Sequence, residues 1–265
     1  MFWTKAIPTE RMNAEQIKRR FEIVEAPDSA IFLASAMNIL STGLGYKASA
    51  DQRASVLGDG RPIPMMSYGL VEYVLGLDLG ALELLELGGG GSTEFWASRT
   101  RSVLTFETSA EWLQMLKSRP LANVEARLSA TDALARDMLT LNRTFDIVVI
   151  DAAANRHQLA LGALKVLRPG GFVILDNSDW FPNAARVLRE ADLIQVDFHD
   201  FRPLHHYRCT TSLFLHRDFR PQPKAARLPL TPIGGKDVAE TNRWDSPVED
   251  ADRAGADAPE EGGRP

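Results

Sequence analysis

The chain has 265 residues, of which 45% are hydrophobic and 25% charged, and its formal net charge is -5. This composition is typical of a globular protein with a sizeable core, and the negative charge argues against broad nucleic-acid binding, which needs basic surface. The single cysteine, Cys209, excludes an intramolecular disulfide and a cysteine-based zinc site. No apolar stretch reaches the ~20 residues of a membrane span, so we expect a cytoplasmic protein without a membrane partner.

Residues 1–80 are predicted to form a helical extension. Apolar residues recur at helical spacing over 13–24, 31–40 and 68–75. This extension could shape a substrate pocket, and its apolar helices could serve a homodimer. The segment 62–68, which includes Met65, Met66 and Tyr68, suits a lid over an apolar substrate, although packing in the core explains these residues nearly as well.

Between residues 81 and 219, short apolar runs alternate with helical patterns. Strands are predicted over 82–87, 102–106, 124–128, 145–150 and 172–175. Strand–helix alternation at this spacing predicts right-handed crossovers and a doubly wound parallel sheet. Two further strand-like runs, 193–198 and 212–216, have no helix between them and indicate an antiparallel pair at the sheet edge. We therefore predict an α/β fold with a mostly parallel, seven-stranded sheet and an antiparallel edge strand.

The last 46 residues, 220–265, are rich in proline, glycine, alanine and charge. Such a segment buries too little apolar surface to offset its ordering entropy, so we predict a disordered tail. The predicted domain division is accordingly a helical extension over 1–80, a ligand-binding core over 81–219 and a tail over 220–265.

A glycine-rich turn is the strongest local signal. Glu86 and four glycines at 88–91 come directly after the first predicted strand and open a helix. Glycine lets the backbone turn sharply and approach a ligand, and a helix N-terminus supplies free N–H groups, although a tight turn without a ligand has the same pattern. A carboxylate in the turn disfavours the pyrophosphate of a dinucleotide and favours a cationic ligand.

Acidic residues also follow the next three predicted strands. Glu107 lies about twenty residues beyond the turn, where a carboxylate can hold two ribose hydroxyls. Asp132 follows the third strand, within reach of an adenine amino group, and Asp151 ends the fourth. Each acid alone is most simply a solvated loop residue, but acids at four successive strand ends predict a ligand site.

The order of these segments resembles the class I methyltransferases, which use S-adenosylmethionine, over roughly residues 82–176. The resemblance implies a Rossmann-like methyltransferase fold in which Gly88 and Gly90 line the methionine part of the cofactor, Glu107 binds the ribose and Asp132 the adenine. The complete predicted cofactor site comprises Glu86, Gly88, Gly90, Glu107, Thr131, Asp132 and Asp151.

The segment 176–180 is similar to the metal-binding segment of the cation-dependent O-methyltransferases that act on catechols and caffeoyl esters. That similarity implies a Mg²⁺ site formed by Asp151, Asp176 and Asn177. Alanines at 152–154 replace the pattern that usually follows the first ligand, so the family's catalytic lysine is missing. The alternative is that these three residues border the cofactor and cap the next helix.

Methyl transfer from a sulfonium needs alignment of the reactants and a base for the acceptor proton. Asp151, Asp176 and His157 are the predicted catalytic residues, and His205 and His206 are further candidates because they lie in the loop between the last two strands. The sequence lacks an Asn/Asp-Pro-Pro-aromatic signature of amino-group methylation, which favours an oxygen or carbon acceptor, and of these we expect O-methylation of a small molecule.

Three other functions share parts of this pattern. A nicotinamide-dependent oxidoreductase would share the first strand–turn–helix unit, but Glu86 and the antiparallel strand pair disfavour it. A polyamine-synthase-like aminopropyltransferase would use a decarboxylated form of the same cofactor. A catalytically degenerate methyltransferase-like domain could instead act as a partner-binding module, with its acidic tail engaging a basic surface.

Overall fold

The computed structural model describes residues 27–119 and 121–237. The first predicted helix, over 13–24, and residues 238–265 of the predicted tail lie outside the described residues. Ahead of the core come helices α1 (Pro27–Asn38), α2 (Tyr46–Gln52) and α3 (Tyr68–Leu75), with a π-helical turn over Ile39–Gly43. In the described part of the chain, no helix is both long enough and apolar enough to cross a membrane.

Strands and helices alternate through the core, as the sequence predicts. In chain order they are β1 (Glu83–Leu87), α4 (Gly91–Ala97), β2 (Ser102–Glu107), α5 (Ala110–Ser118), β3 (Val124–Leu128), α6 (Leu134–Leu139), β4 (Phe145–Ile150), α7 (Arg156–Val166), β5 (Leu167–Leu175), α8 (Pro182–Glu190), β6 (Ile194–Asp200) and β7 (Cys209–Leu215). Local signals set several of these boundaries. Ser109 caps α5 by accepting from the Trp112 N–H at 3.3 Å, and Asn155 caps α7 in the same way.

The strands form one seven-stranded sheet in the order β3-β2-β1-β4-β5-β7-β6. All neighbouring pairs are parallel except those of β7, which runs antiparallel to both β5 and β6. This arrangement confirms the predicted Rossmann-like methyltransferase fold, with β6 and β7 as the antiparallel pair at the edge. Because β7 is reversed, its first residues lie beside the carboxyl end of β5.

Two apolar layers cover the sheet, one on each face. Alternate residues of β4 divide between them: Val148 and Ile150 pack with α6, α7 and α8, whereas Ile147 and Val149 pack with α3, α4 and the segment before β1. All four side chains are fully buried. A strand buried on both faces needs a continuous apolar run, which is why this strand is readable from sequence.

The segment after β7 runs back along the N-terminal part of the core. Asp78 N–H donates to the carbonyl of Gln222 at 2.8 Å, and Lys224 N–H donates to that of Gly76 at 2.9 Å. Phe219, Leu228 and Ile233 pack against the apolar layer that contains α3. Residues 219–233 therefore contact the core, and the predicted three-part domain division stays a prediction.

Candidate functional site

The glycine-rich turn connects β1 to α4 at the carboxyl edge of the sheet. The N–H groups of Gly88 and Gly89 both donate to the carbonyl of Phe106, at 2.8 and 3.1 Å. Gly88 has a φ of 102°, and a Cβ there would lie 2.7 Å from the backbone nitrogen of Ala152. Only glycine fits such a position, so the turn is packed tightly against the end of β4.

Glu86 holds this turn from inside the protein. It is fully buried, and its two carboxylate oxygens accept hydrogen bonds from the hydroxyls of Ser92 and Thr93, both at 2.6 Å. Thr93 Oγ1 in turn accepts from the N–H of Gly90 at 3.0 Å. Glu86 therefore connects the turn to the first residues of α4. Burial raises the pKa of Glu86 to about 7, against the opposing effect of these hydroxyl donors.

The raised pKa of Glu86 predicts a specific pH dependence of stability. The folded protein holds the Glu86 proton more tightly than the unfolded chain, in which the pKa has its usual value of 4.5. The free energy of unfolding should therefore fall as the pH rises from about 4.5 to about 7, by up to about 3 kcal/mol from this group.

Urea unfolding of the wild type and Glu86→Gln across that range measures the effect. The difference between the two proteins isolates Glu86 from other groups that titrate in the same window. Parallel pH profiles for the two proteins would contradict the assignment.

Glu107 ends β2 beside the glycine-rich turn and has one unoccupied carboxylate oxygen. Its Oε1 accepts from the backbone N–H groups of Thr108 and Ser109, both at 2.7 Å, while no described residue donates to Oε2. The buried Thr105 hydroxyl lies just under Gly89 and interacts with the Glu86 carboxyl group. The second oxygen of Glu107 offers a bound ligand a hydrogen bond that the described residues do not use.

An exposed tryptophan borders the same turn. Trp112 on α5 is 51% exposed, and its ring lies 3.8 Å from the Cβ position of Gly90. Sequence reasoning did not single out Trp112 as a site residue. Its helical position gives no sign of exposure, and only the position of α5 beside the turn makes it a candidate ligand contact.

Thr131 and Asp132 lie in the exposed turn between β3 and α6, at the same edge of the sheet. The end of β3 is close to Glu107, because Ser129 N–H donates to the Glu107 carbonyl at 3.0 Å. No hydrogen bond or ion pair within the described residues joins Thr131 or Asp132 to the other predicted site residues. The structure brings them to the correct edge, and their contact with adenine stays a prediction.

Asp151 and Asp176 end the neighbouring strands β4 and β5, and arginines bind both. Asp151, one quarter exposed, accepts from Arg156 Nη2 at 3.0 Å. Asp176 is buried and accepts from Arg202 Nη1 at 2.9 Å and from the Thr211 hydroxyl at 2.5 Å. Burial raises the pKa of both carboxyl groups, that of Asp151 to about 7, and the charge of Asp176 adds to the effect on Asp151.

The predicted Mg²⁺ site is not supported. Arg202 already pairs with Asp176 and Arg156 with Asp151, so a dication bound to these carboxylates would be repelled by two neighbouring guanidinium groups. Asn177, in the amide orientation that satisfies both of its polar atoms, donates to Asp176 and accepts from Arg202. Across residues 27–119 and 121–237 there is no group of three or more His, Cys, Asp or Glu side chains suited to a metal ion.

The histidines separate into two environments. His157 is half-buried in the first turn of α7, and none of the described residues forms a hydrogen bond with its ring. His205 instead reaches the carboxylate cluster, because its Nε2 accepts from Arg202 Nη2 at 3.0 Å. His206 packs against Tyr207 with ring centroids 5.4 Å apart. The structure thus joins His205, and not His157, to the predicted catalytic aspartates.

The segment that sequence analysis describes as a lid does contact this cluster. The Met65 carbonyl accepts from Arg202 at 3.4 Å, and the Ser67 N–H donates to Thr211 Oγ1 at 3.1 Å. Met66 and Tyr68 are fully buried in the apolar layer that contains α3. The segment is therefore both part of the core and a wall of the site.

Arg156 and Arg202 are the site residues that sequence reasoning missed. A single arginine in a loop or helix has no distinctive sequence environment, and Arg202 lies 26 positions from the aspartate that it binds. Cys209, by contrast, is buried as expected of a packed thiol, and burial raises its pKa to about 12.

No known family profile matches the chain, and no curated protein sequence does either. Solved structures with a similar fold include precorrin-6y C5,15-methyltransferase from Geobacter metallireducens, with 13% identity over 56% of this chain and 86% of that one and a TM-score of 0.47. The O-methyltransferase TomG from Streptomyces achromogenes, solved in complex with SAM, has 20% identity over 56% and 76%, with a TM-score of 0.41. Spermidine synthase from Thermotoga maritima has 14% identity over 59% and 61%, with a TM-score of 0.44. Because all three scores are below 0.5, the function below is inferred from the site itself.

Proposed function

We propose that the protein binds S-adenosylmethionine at the carboxyl edge of its sheet and transfers the methyl group to an oxygen of a small-molecule acceptor. One observation carries this proposal: Glu107 keeps a carboxylate oxygen unoccupied next to a turn at which only glycine fits. Open α/β sheets bind ligands at this edge, and a carboxylate in this position suits a pair of ribose hydroxyls.

The residues around the turn fit the cofactor in charge and in shape. Gly88 lets the turn pack against the end of β4, Gly90 has only the Trp112 ring near its Cβ position, and Glu107 Oε2 is available to accept from the ribose. Glu86 supports the turn from beneath through its hydrogen bonds with Ser92 and Thr93. The exposed ring of Trp112 offers a flat apolar surface beside Gly90. Bound S-adenosylmethionine supplies an electrophilic methyl group, which moves to the acceptor oxygen as the carbon–sulfur bond breaks.

The residues at the ends of β4 and β5 supply the remaining chemistry. Asp151 follows β4 and contacts the glycine-rich turn through its backbone, and Arg156 occupies only its Oδ1. In this proposal the other oxygen of Asp151 takes the proton from the acceptor hydroxyl. Asp176 has no free oxygen, because Arg202 and Thr211 bind both, so it acts as a positioning residue for Arg202.

Calorimetric titration of S-adenosylmethionine and S-adenosylhomocysteine tests the cofactor site. We expect micromolar binding to the wild type and a loss of about 10- to 100-fold in Glu107→Gln, because the neutral amide replaces a charged acceptor of ribose hydrogen bonds. The matched control is Glu125→Gln, since Glu125 is an exposed β3 residue that pairs with Arg127 and with no other side chain among the described residues. Equal binding by wild type and Glu107→Gln would contradict this role of Glu107, and no binding to wild type would contradict the proposed function.

The same titration distinguishes a methyltransferase from the two alternatives, an aminopropyltransferase and a partner-binding module. Tighter binding of decarboxylated S-adenosylmethionine than of the intact cofactor would indicate an aminopropyltransferase. Cofactor binding without turnover of a panel of hydroxylated acceptors would indicate a partner-binding module. We expect magnesium chloride and EDTA to leave cofactor affinity unchanged, since arginines occupy the carboxylates that a metal would use.

A further inference from the structure

The guanidinium of Arg202 is buried and has an unused donor. Arg202 follows β6 and is only 4% exposed. Its Nη1 donates to Asp176 and its Nη2 to His205, whereas its buried Nε–H has no well-aligned acceptor in the described part of the chain, and the nearby Cys209 thiol is only a weak acceptor. A buried N–H group without an acceptor costs free energy, so this side of the guanidinium is suited to a further acceptor.

The geometry of the guanidinium indicates which acceptor fits. Nε–H and Nη2–H point in parallel from one edge of the group, away from the Nη1 that Asp176 holds. His205 occupies only Nη2, through a neutral ring nitrogen, because its Nδ1–H donates to the Pro203 carbonyl. A carboxylate that displaced His205 would accept from both N–H groups and would add charge to the interaction.

The loop that carries these groups has a strained backbone at the same point. Leu204, directly before His205, has a φ of 64°, in the left-handed region that non-glycine residues rarely occupy. Asn177, which follows β5 and contacts Arg202, has a φ of 52° in the same region, which asparagine adopts more readily than leucine. Strained residues of this kind concentrate at ligand sites, where the surrounding structure holds them in place.

An exposed pair of aromatic rings lies beside the guanidinium of Arg202. Trp180 is 54% exposed, and its ring is 6.0 Å from the Arg202 guanidinium carbon. Tyr207 is 37% exposed, with its ring centroid 6.2 Å from that of Trp180 and 5.0 Å from that of His205. Two neighbouring exposed aromatic rings provide a surface on which a planar ligand can stack.

We propose that Arg202 binds the carboxylate of an aromatic acid through its Nε/Nη2 edge, in place of His205, with the aromatic ring of that acid against Trp180 and Tyr207. The acid is the methyl acceptor, an assignment that rests on the proposed function. The guanidinium here takes the position that the similarity to cation-dependent enzymes assigns to a metal ion, and Asp176 and Asn177 hold it there.

Ligand-observed NMR titration with benzoate and benzamide tests the site on the full-length protein. Benzamide has the same shape without the charge, so we expect benzoate to bind at least about tenfold more tightly. Arg202→Lys keeps the charge beside Asp176 but cannot donate two parallel hydrogen bonds to a carboxylate, so it should weaken benzoate binding about tenfold. Arg208→Lys is the matched control, because Arg208 is an exposed arginine of the same loop. Trp180→Ala changes an exposed side chain and should weaken benzoate binding about fivefold. This variant tests the site independently if Arg202→Lys does not fold.

Equal binding of benzoate and benzamide would overturn the proposal, as would benzoate affinity that is unchanged in both Arg202→Lys and Trp180→Ala. Calorimetry with S-adenosylmethionine on the same samples separates this result from the proposed function. Cofactor binding without a preference for benzoate over benzamide would contradict the proposed carboxylate site and leave the methyltransferase proposal intact. A preference for benzoate over benzamide without cofactor binding would support the carboxylate site but contradict the assignment of the acid as the methyl acceptor.

Discussion

Asp176→Ala is expected to destabilise the protein by about 3–5 kcal/mol, because it leaves the buried guanidinium of Arg202 without its charged partner. Asp176 is 1% exposed, and the variant also leaves the Thr211 hydroxyl without its acceptor. Breaking one side of a buried ion pair costs far more than the pair contributes as a whole, since an isolated buried charge has lost its hydration. Urea unfolding monitored by circular dichroism measures the change.

Two further variants define the cause of that loss. Asp176→Asn keeps the volume and one acceptor oxygen, so it should cost less than Asp176→Ala. Asp192→Ala removes an ion pair with Arg217 that is largely exposed, and should cost less than about 1 kcal/mol. A loss below about 1 kcal/mol in Asp176→Ala would mean that water reaches Arg202, contrary to the buried site described above.

Gly88→Ala is expected to destabilise the protein by about 2–5 kcal/mol, from left-handed strain and steric overlap together. The φ of 102° is unfavourable for any residue with a Cβ. The new methyl group would lie within 2.8 Å of backbone atoms of Asp151 and Ala152, which cannot move without disturbing the end of β4. The variant should also weaken S-adenosylmethionine binding, because the turn and Asp151 would separate.

Gly91→Ala is the matched control in the same glycine run. Gly91 begins α4, and no described atom lies within 4 Å of its Cβ position. Alanine is the better helix former, so this variant should be neutral or more stable by about 0.4–1 kcal/mol. Equal effects of the two substitutions on the free energy of unfolding would contradict the tight packing of Gly88 against β4.

The sheet could be predicted because its signals are local. The strand Phe145–Ile150 is buried on both faces, so it reads as a continuous apolar run with the same bounds in sequence and structure. Ser109 caps α5, and a serine directly before a helical segment is a local signal of this kind. The glycine-rich turn was also readable, because a left-handed φ and close backbone packing require glycine at Gly88 whatever surrounds it.

The structure does not support the metal prediction, for a physical reason. Carboxylate and amide oxygens at neighbouring strand ends suit a dication and a guanidinium equally, and the sequence shows only the oxygens. Which cation they face depends on a residue far along the chain. In this structure Arg202 fills that position, 26 residues after Asp176.

The amino-acid sequence by itself determined the alternation of strands and helices, the sheet type, the position of the glycine-rich turn and the acids that follow the parallel strands. Apolar periodicity, capping and glycine geometry depend on neighbouring residues and act before the chain has folded. Only the tertiary structure decided what Asp151 and Asp176 contact. The insertion of β7 between β5 and β6 brings Arg202, His205 and Thr211 to the carboxyl edge, and such pairing between distant segments depends on the packing of the whole sheet.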